Sequence, residues 1–245
     1  LMLAGILLVA AVALWALPTV TDWDRWAATH ACAEEMVEGK DFTLTTEACL
    51  AYLAENRLPE GLMEEVRAHI AEMERKTGKT FGGTTNPLLV SVRSGSAMSM
   101  PGMMDTILNL GLNDKTLAGL TAATNNARFA YDAWRRFIQL FGKIALGVPD
   151  EKVDRAMTEL KRKAGAAEDV DLSADHLKPL AATYLAIVRE ATGKPFPTDA
   201  GEQLEIAIGA VFRSWMGKRA VDYRRQFRIT PDMANGTAVN IVAMV

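Results

Sequence analysis

The sequence predicts an α+β fold, and three observations lead there. Short apolar runs of strand character, in "FTLTT" and "NPLLVSV", come early, and another, in "GTAVNIVAMV", closes the chain. From about Asn113 to Ala191 the chain reads as almost wholly helical, with apolar residues three and four apart. Strands that bracket a long helical stretch keep the two kinds of element separate, which is the α+β pattern. A length of 245 residues is enough to bury a real core.

Taken in order, Phe42 and Leu44 fall on one side of the first strand, with Thr43 and Thr45 on the other. Thr46 is the expected cap of the helix that begins "EACLAYLAEN". A second helix is expected from about Pro59 to Thr77, with Leu62, Val66, Ile70 and Met73 on its inner face and Gly78 as its stop. The apolar run Leu88, Leu89, Val90, Val92 then leads into the loop "RSGSAMSMPGMMD". In "NNARFAYDAWRRFIQLFG", Phe129, Ala133, Phe137, Leu140 and Phe141 form one apolar stripe. On a helical wheel Arg136 falls within about 20° of Phe129, whereas Arg135 points well away. That marks Arg136 as a charge at the edge of the apolar face, either paired or lining a cleft. Ser173 is expected to cap a later helix. A Pro/Gly linker, "GKPFPTDAGEQL", precedes a helix with Leu204, Ile208, Val211, Phe212 and Trp215 on one stripe. The chain stops on a buried-looking strand, and such a strand normally needs neighbours on both sides, so the ending reads as an interruption.

A net charge of −3 and 23% charged residues give no general argument for nucleic acid or an anionic membrane as partner. Any phosphate site must come from local placement of arginines. Cys32 and Cys49 lack metal or redox spacing and are expected to be free thiols; His30, His69 and His176 are scattered. Residues 1–17, "LMLAGILLVAAVALWAL", are continuously apolar, at the lower edge of a membrane-spanning length of about 17 residues. A membrane anchor, a buried helix and a mis-joined segment all remain open readings of that run.

"TGKT" at 77–80 is not a phosphate loop of the Walker type. The glycine required five residues before Gly78 is Met73, in mid-helix. "SVRSGSAMSMPGMMD" is the better candidate. Ser94, Gly95, Ser96 and Gly102 leave backbone N–H groups free to face an anion, and Arg93 adds a planar donor fork suited to phosphate oxygens. Asp105 is either a carboxylate facing a metal or a helix cap. The basic run from Lys218 to Arg228 is either a track for a polyphosphate or a solvated amphipathic helix.

"NPLLVSVRSGSAMSMPGMMDTILNLGLND", "FAYDAWRRFIQLFG" and "AIGAVFRSWMGKRAVDYRR…GTAVNIVAMV" together resemble the N-terminal nucleotide-binding region of the pyruvate, phosphate dikinase family. The likeness runs in order over residues 41–245. It implies part of an ATP-grasp domain, from an enzyme that interconverts ATP, phosphate and pyruvate with AMP, diphosphate and phosphoenolpyruvate, using Mg2+. Arg93 stands where the family has an arginine contacting the ATP phosphates, with Ser94 and Gly95 beside it. Gly102 lies in its mobile glycine loop. Arg136 occupies the second arginine of the family's YRRF segment, implicated in the same region or in docking the phosphohistidine domain. The implied catalytic residues are thus Arg93 and Arg136, and the implied nucleotide-binding residues Arg93, Ser94, Gly95 and Gly102.

The departures shape the rest. The family's GGKG lysine segment has no counterpart near Lys40, and the chain stops before the family's acidic metal-binding residues, so no metal ligand is assigned. The expected organisation is an apolar lead over 1–40, the first part of a nucleotide-binding domain over 41–112, a helical subdomain over 113–200, and a return to the nucleotide-binding domain over 201–245. The expected protein is a dikinase fragment, inactive alone, that binds ATP/AMP and phosphate. Pyruvate and phosphoenolpyruvate would be met only through absent domains. No nucleic acid is involved, the location is cytoplasmic, and the full-length enzyme is a possible homodimer. The alternatives are a non-catalytic remnant that binds nucleotide or the full-length enzyme, and a phosphoenolpyruvate synthase-type domain.

Overall fold

The computed structural model describes residues 41–244. The apolar lead over 1–40, with its anchor reading and Cys32, lies outside the described residues. Among the described residues no helix is long and apolar enough to cross a membrane.

A four-stranded antiparallel sheet organises the chain. Its strands are β1 (Asp41–Leu44), β4 (Val90–Gly95), β5 (Thr106–Leu110) and β6 (Ala238–Ala243), in the order β1-β6-β4-β5. The shorter β2 (Thr80–Phe81) and β3 (Pro87–Leu88) pair in parallel with each other. The α+β expectation holds, but the terminal strand does not lack neighbours. β6 sits between β1 and β4, pairing Phe42 with Ile241 on one side and Val92 with Ile241 on the other.

Alternation divides the sheet into two unlike faces. Phe42, Leu44, Val90, Val92, Val239 and Ile241 point into the core. Helices α1 (Thr46–Glu55) and α7 (Ala200–Ser214) pack on the sheet, and α7 supplies the buried Leu204, Ile208, Val211 and Phe212. The face carried by Thr43, Asn240, Arg93 and Thr106, paired across neighbouring strands in that order, stays half-buried or exposed.

Helix α2 (Leu62–Thr77) buries Leu62, Val66, Ile70 and Met73 and ends at Gly78 in the left-handed conformation, as its spacing predicts. Thr46 is not the cap of α1. It is the helix's first residue, and Thr45 holds the cap position without a side-chain hydrogen bond. The remaining helices are α3 (Asp114–Thr124), α4 (Ala127–Leu146), α5 (Asp150–Ala164), α6 (Ala174–Thr192) and α8 (Lys218–Gln226). Ser173 caps α6, accepting from the His176 N–H. Cys49 is a free thiol, buried against α7, and burial pushes its pKa up.

The stretch "LGLND" joins sheet to helix through buried polar contacts. The Gln203 carboxamide accepts from the Gly111 N–H and donates to the carbonyls of Leu112 and Pro197. Asn113 caps α3 in a reciprocal box with Thr116 and donates to the Thr198 carbonyl. On α3, Gly119 lies directly under the 82–86 loop: an added Cβ would fall inside contact distance of the Thr84 carbonyl oxygen and 2.8 Å from its carbon. Gly119→Ala would gain about 1 kcal/mol of helix propensity. Overpacking against backbone costs roughly 1–3 kcal/mol or more. The expected net result is destabilisation, read as a lower denaturant midpoint; a raised midpoint would refute the close approach.

Candidate functional site

Arg93 occupies the middle of the sheet's polar face. It pairs with Thr106 on β5 and with Asn240 on β6, and its Nε donates to the Ser91 hydroxyl at 3.2 Å. Two residues along the same strand, Gly95 faces Ala238, and a Cβ there would meet the Asn240 amide nitrogen at 2.9 Å. The Asn240 carbonyl oxygen in turn accepts from the Thr43 hydroxyl at 2.8 Å. Gly95 thus leaves room for an amide side chain lying across the strand beside the arginine. Ser94, between them, follows the core-facing alternation of Val90 and Val92 and is half-buried. It offers the site its backbone more readily than its hydroxyl.

The loop from Ser96 to Asp105 leaves the sheet beside this row. Gly102 has φ +70 with open space around the Cβ position, so backbone conformation rather than crowding favours glycine there. Asp105 immediately precedes β5 and caps no helix. Its carboxylate accepts from Arg219 at 2.8 Å and its N–H donates to the Ser214 hydroxyl at 3.2 Å. The other arm of Arg219 reaches the Gly102 carbonyl at 3.1 Å. Lys218, Arg224 and Arg225 are occupied locally. Lys218 pairs with Asp222, and Arg224 lies 3.8 Å over the Trp215 ring while donating to the Trp215 carbonyl. The polyphosphate-track reading of that run has no support in these contacts.

On α4 Phe129 does not mark the apolar face. Phe129 is exposed, and the buried face is carried by Ala130, Ala133, Trp134, Phe137 and Phe141. Arg135, expected to point away, is the buried arginine at 4% exposure. It donates to Asp132 at 2.8 Å and to Asp169 at 2.7 Å. The physical reason is that α4 packs against α3, α6, α7 and β5, so a helix buried on several sides has no single solvent face.

Arg136 is 57% exposed, and its Nε is held by the second oxygen of Asp132 at 3.0 Å. It is both paired and cleft-lining. A cavity of about 350 Å³ runs beside it, lined also by Leu108, Asn109, Gln139 and Lys143. Arg93 is not among the residues of that cavity. The two arginines are linked through β5: Thr106 pairs with Arg93, and Leu108, two residues on and on the same face by alternation, borders the Arg136 cavity. Two strand residues span about 7 Å.

Two partners of these side chains, Asp132 and Arg219, lie outside the sequence expectations for the site. Asp132 lies three and four residues before Arg135 and Arg136, a spacing that was available to read. Arg219 was visible only as one member of a basic run, because its partner is 114 residues away. Among the described residues no group of three or more His, Cys, Asp or Glu side chains could hold a metal ion. Since Asp105 is taken by Arg219, these residues do not by themselves fit Mg2+.

A polar sheet face that presents an arginine, with a glycine-bearing loop leaving the sheet beside it, is the kind of surface on which an anion can be held. Residues 31–245 match the family described as pyruvate phosphate dikinase, AMP/ATP-binding domain. A pyruvate, phosphate dikinase of Entamoeba histolytica is 60% identical over 83% of this chain. Those of Giardia intestinalis and Clostridium symbiosum are 52% and 46% identical over the same share. The chain belongs to this family. It spans 23% of the length of each of these three relatives.

Proposed function

We propose that this chain is the nucleotide-handling part of a pyruvate, phosphate dikinase. On this reading residues 41–112 and 201–245 form an ATP-grasp-type domain, and 113–200 are its helical insertion. Arg93, with the backbone of Ser94 and Gly95 and the Gly102 loop, holds the nucleotide phosphates, and Arg136 acts from the neighbouring cavity. The observation that carries the reading is the placement of Arg93 on the polar sheet face, with the glycine loop leaving the sheet beside it. Phosphoryl transfer spreads charge over phosphate oxygens, and fixed guanidinium donors neutralise that charge without reorganising.

The whole reaction interconverts ATP, phosphate and pyruvate with AMP, diphosphate and phosphoenolpyruvate. It needs parts of the relatives' length that this chain does not span. Magnesium would neutralise phosphate charge, but its ligands are not assigned to residues of this chain.

Titration calorimetry with ATP, and separately with AMP, tests the reading on the 245-residue chain. Saturable ATP binding is expected. Arg93→Ala should weaken it by about 10- to 100-fold, the worth of one or more charge-assisted hydrogen bonds. Binding that ignores Arg93→Ala would sink the assignment. ATP binding by a chain that gives no activity when mixed with the remaining domains would favour the non-catalytic nucleotide-binding reading.

A further inference from the structure

We propose that Arg219 is a positioning residue that latches the Gly102 loop beside the Arg93 face, coupling the corner between α7 and α8 to the nucleotide site. The inference rests on the nucleotide reading above for its functional half, and on geometry alone for its structural half.

The loop is anchored in the sheet at both ends, by Gly95 of β4 and Thr106 of β5. Between those ends a single guanidinium makes two contacts, one arm to the Gly102 carbonyl at 3.1 Å and the other to the Asp105 carboxylate at 2.8 Å. A planar fork is suited to hold two acceptors at a fixed separation, which a point-charge ammonium cannot do equally well. The left-handed backbone at Gly102 accompanies the presentation of its carbonyl to the fork. A second anchor comes from the end of α7. The Ser214 hydroxyl accepts from the Asp105 N–H and donates to the Val211 carbonyl. Arg219 also escapes the acid on its own helix, because Asp222 is bound by Lys218 and Arg225.

Two features distinguish a releasable latch from a structural clamp. The Arg219 side chain is 62% exposed, and an ion pair in that setting contributes little to the stability of the fold. At the start of the loop the Ser96 hydroxyl is buried without a hydrogen-bond partner among the described residues. A buried hydroxyl left unsatisfied disfavours the conformation that buries it. The latch therefore adds little to the stability of the fold, and its release would free the Ser96 hydroxyl to find a partner.

Hydrogen–deuterium exchange of loop peptides spanning 97–104, measured without nucleotide, tests the latch, and calorimetric ATP affinity tests its consequence. Arg219→Ala is expected to speed loop exchange by about tenfold and to weaken ATP by about three- to tenfold. Exchange in α4 and the melting temperature should stay unchanged. Arg219→Lys should recover part of both effects, and Asp105→Asn should loosen the loop with Arg219 still present. Unaltered loop exchange in Arg219→Ala overturns the latch. A loosened loop with unaltered ATP affinity overturns the positioning role. Should the unsubstituted chain bind no ATP, the nucleotide reading falls, and the exchange result alone decides the latch.

Discussion

Arg93→Ala, placed in a protein that supplies the remaining domains, is expected to slow isotope exchange between ATP and AMP by about 10²- to 10³-fold. That is the usual loss when one preorganised donor is removed from a developing charge. Exchange between pyruvate and phosphoenolpyruvate should keep its rate. The asymmetry follows from where the residue sits. Arg93 is rooted in the middle of β4, flanked by β5 and β6, and its Nε is tied to Ser91 two residues back on the same strand. On the proposed reading a side chain fixed to a central strand serves the nucleotide site alone, so its effect is expected in the nucleotide half of the reaction. Lysine should restore only part of the rate, because it cannot offer two donors in one plane. Equal loss in both exchanges would mean that the substitution damages the fold. An unaltered ATP exchange would mean that the phosphates lie elsewhere.

Much of the local structure was legible because it depends on periods within single elements. The spacing of Leu62, Val66, Ile70 and Met73 gave α2, and that of Leu204, Ile208, Val211 and Phe212 gave α7. The alternation of Phe42 and Leu44 gave β1. What failed was anything set by a distant partner. β6 pairs with β1 across nearly the whole described chain, so its neighbours could not be seen from residues around it.

Arg219 has no local signature, since its acceptors lie on the loop between β4 and β5. Asp105 likewise has its side-chain partner 114 residues away. Arg135 and Arg136 were assigned opposite characters because a wheel ranks positions around one axis, whereas α4 is covered on several sides. Both arginines border the cavity, but the exposed Arg136 is held only at its root by Asp132, whereas the buried Arg135 is tied to Asp132 and Asp169 and serves the fold.

That division of labour predicts unequal consequences of cutting the Asp132 network. Asp132→Ala is expected to destabilise the chain by roughly 1.5–3 kcal/mol, because Arg135 then keeps a buried guanidinium with Asp169 as its remaining partner. For a protein of this size each kcal/mol shifts the melting temperature by about 2–4 °C, so the loss should be plain in a thermal scan. Arg135→Met should cost less, about 1 kcal/mol, since it removes the charge and leaves neither acid alone. Asp132 retains Arg136, and Asp169 retains Lys161. Similar losses in the two variants would contradict this account.

The Asp169 carboxyl supplies a pH test of the same network. The Lys161 ammonium and the Arg135 guanidinium, outweighing burial, hold its pKa below the ordinary 3.8. A carboxylate whose pKa is lowered by folding stabilises the folded state above its unfolded pKa, and loses that contribution as pH falls through the folded value. The penalty of Asp169→Asn should therefore be full at neutral pH, shrink below about pH 4 and vanish in stronger acid. A penalty constant down to the acid transition would show that the carboxylate charge is not what joins α4 to the 169–171 turn.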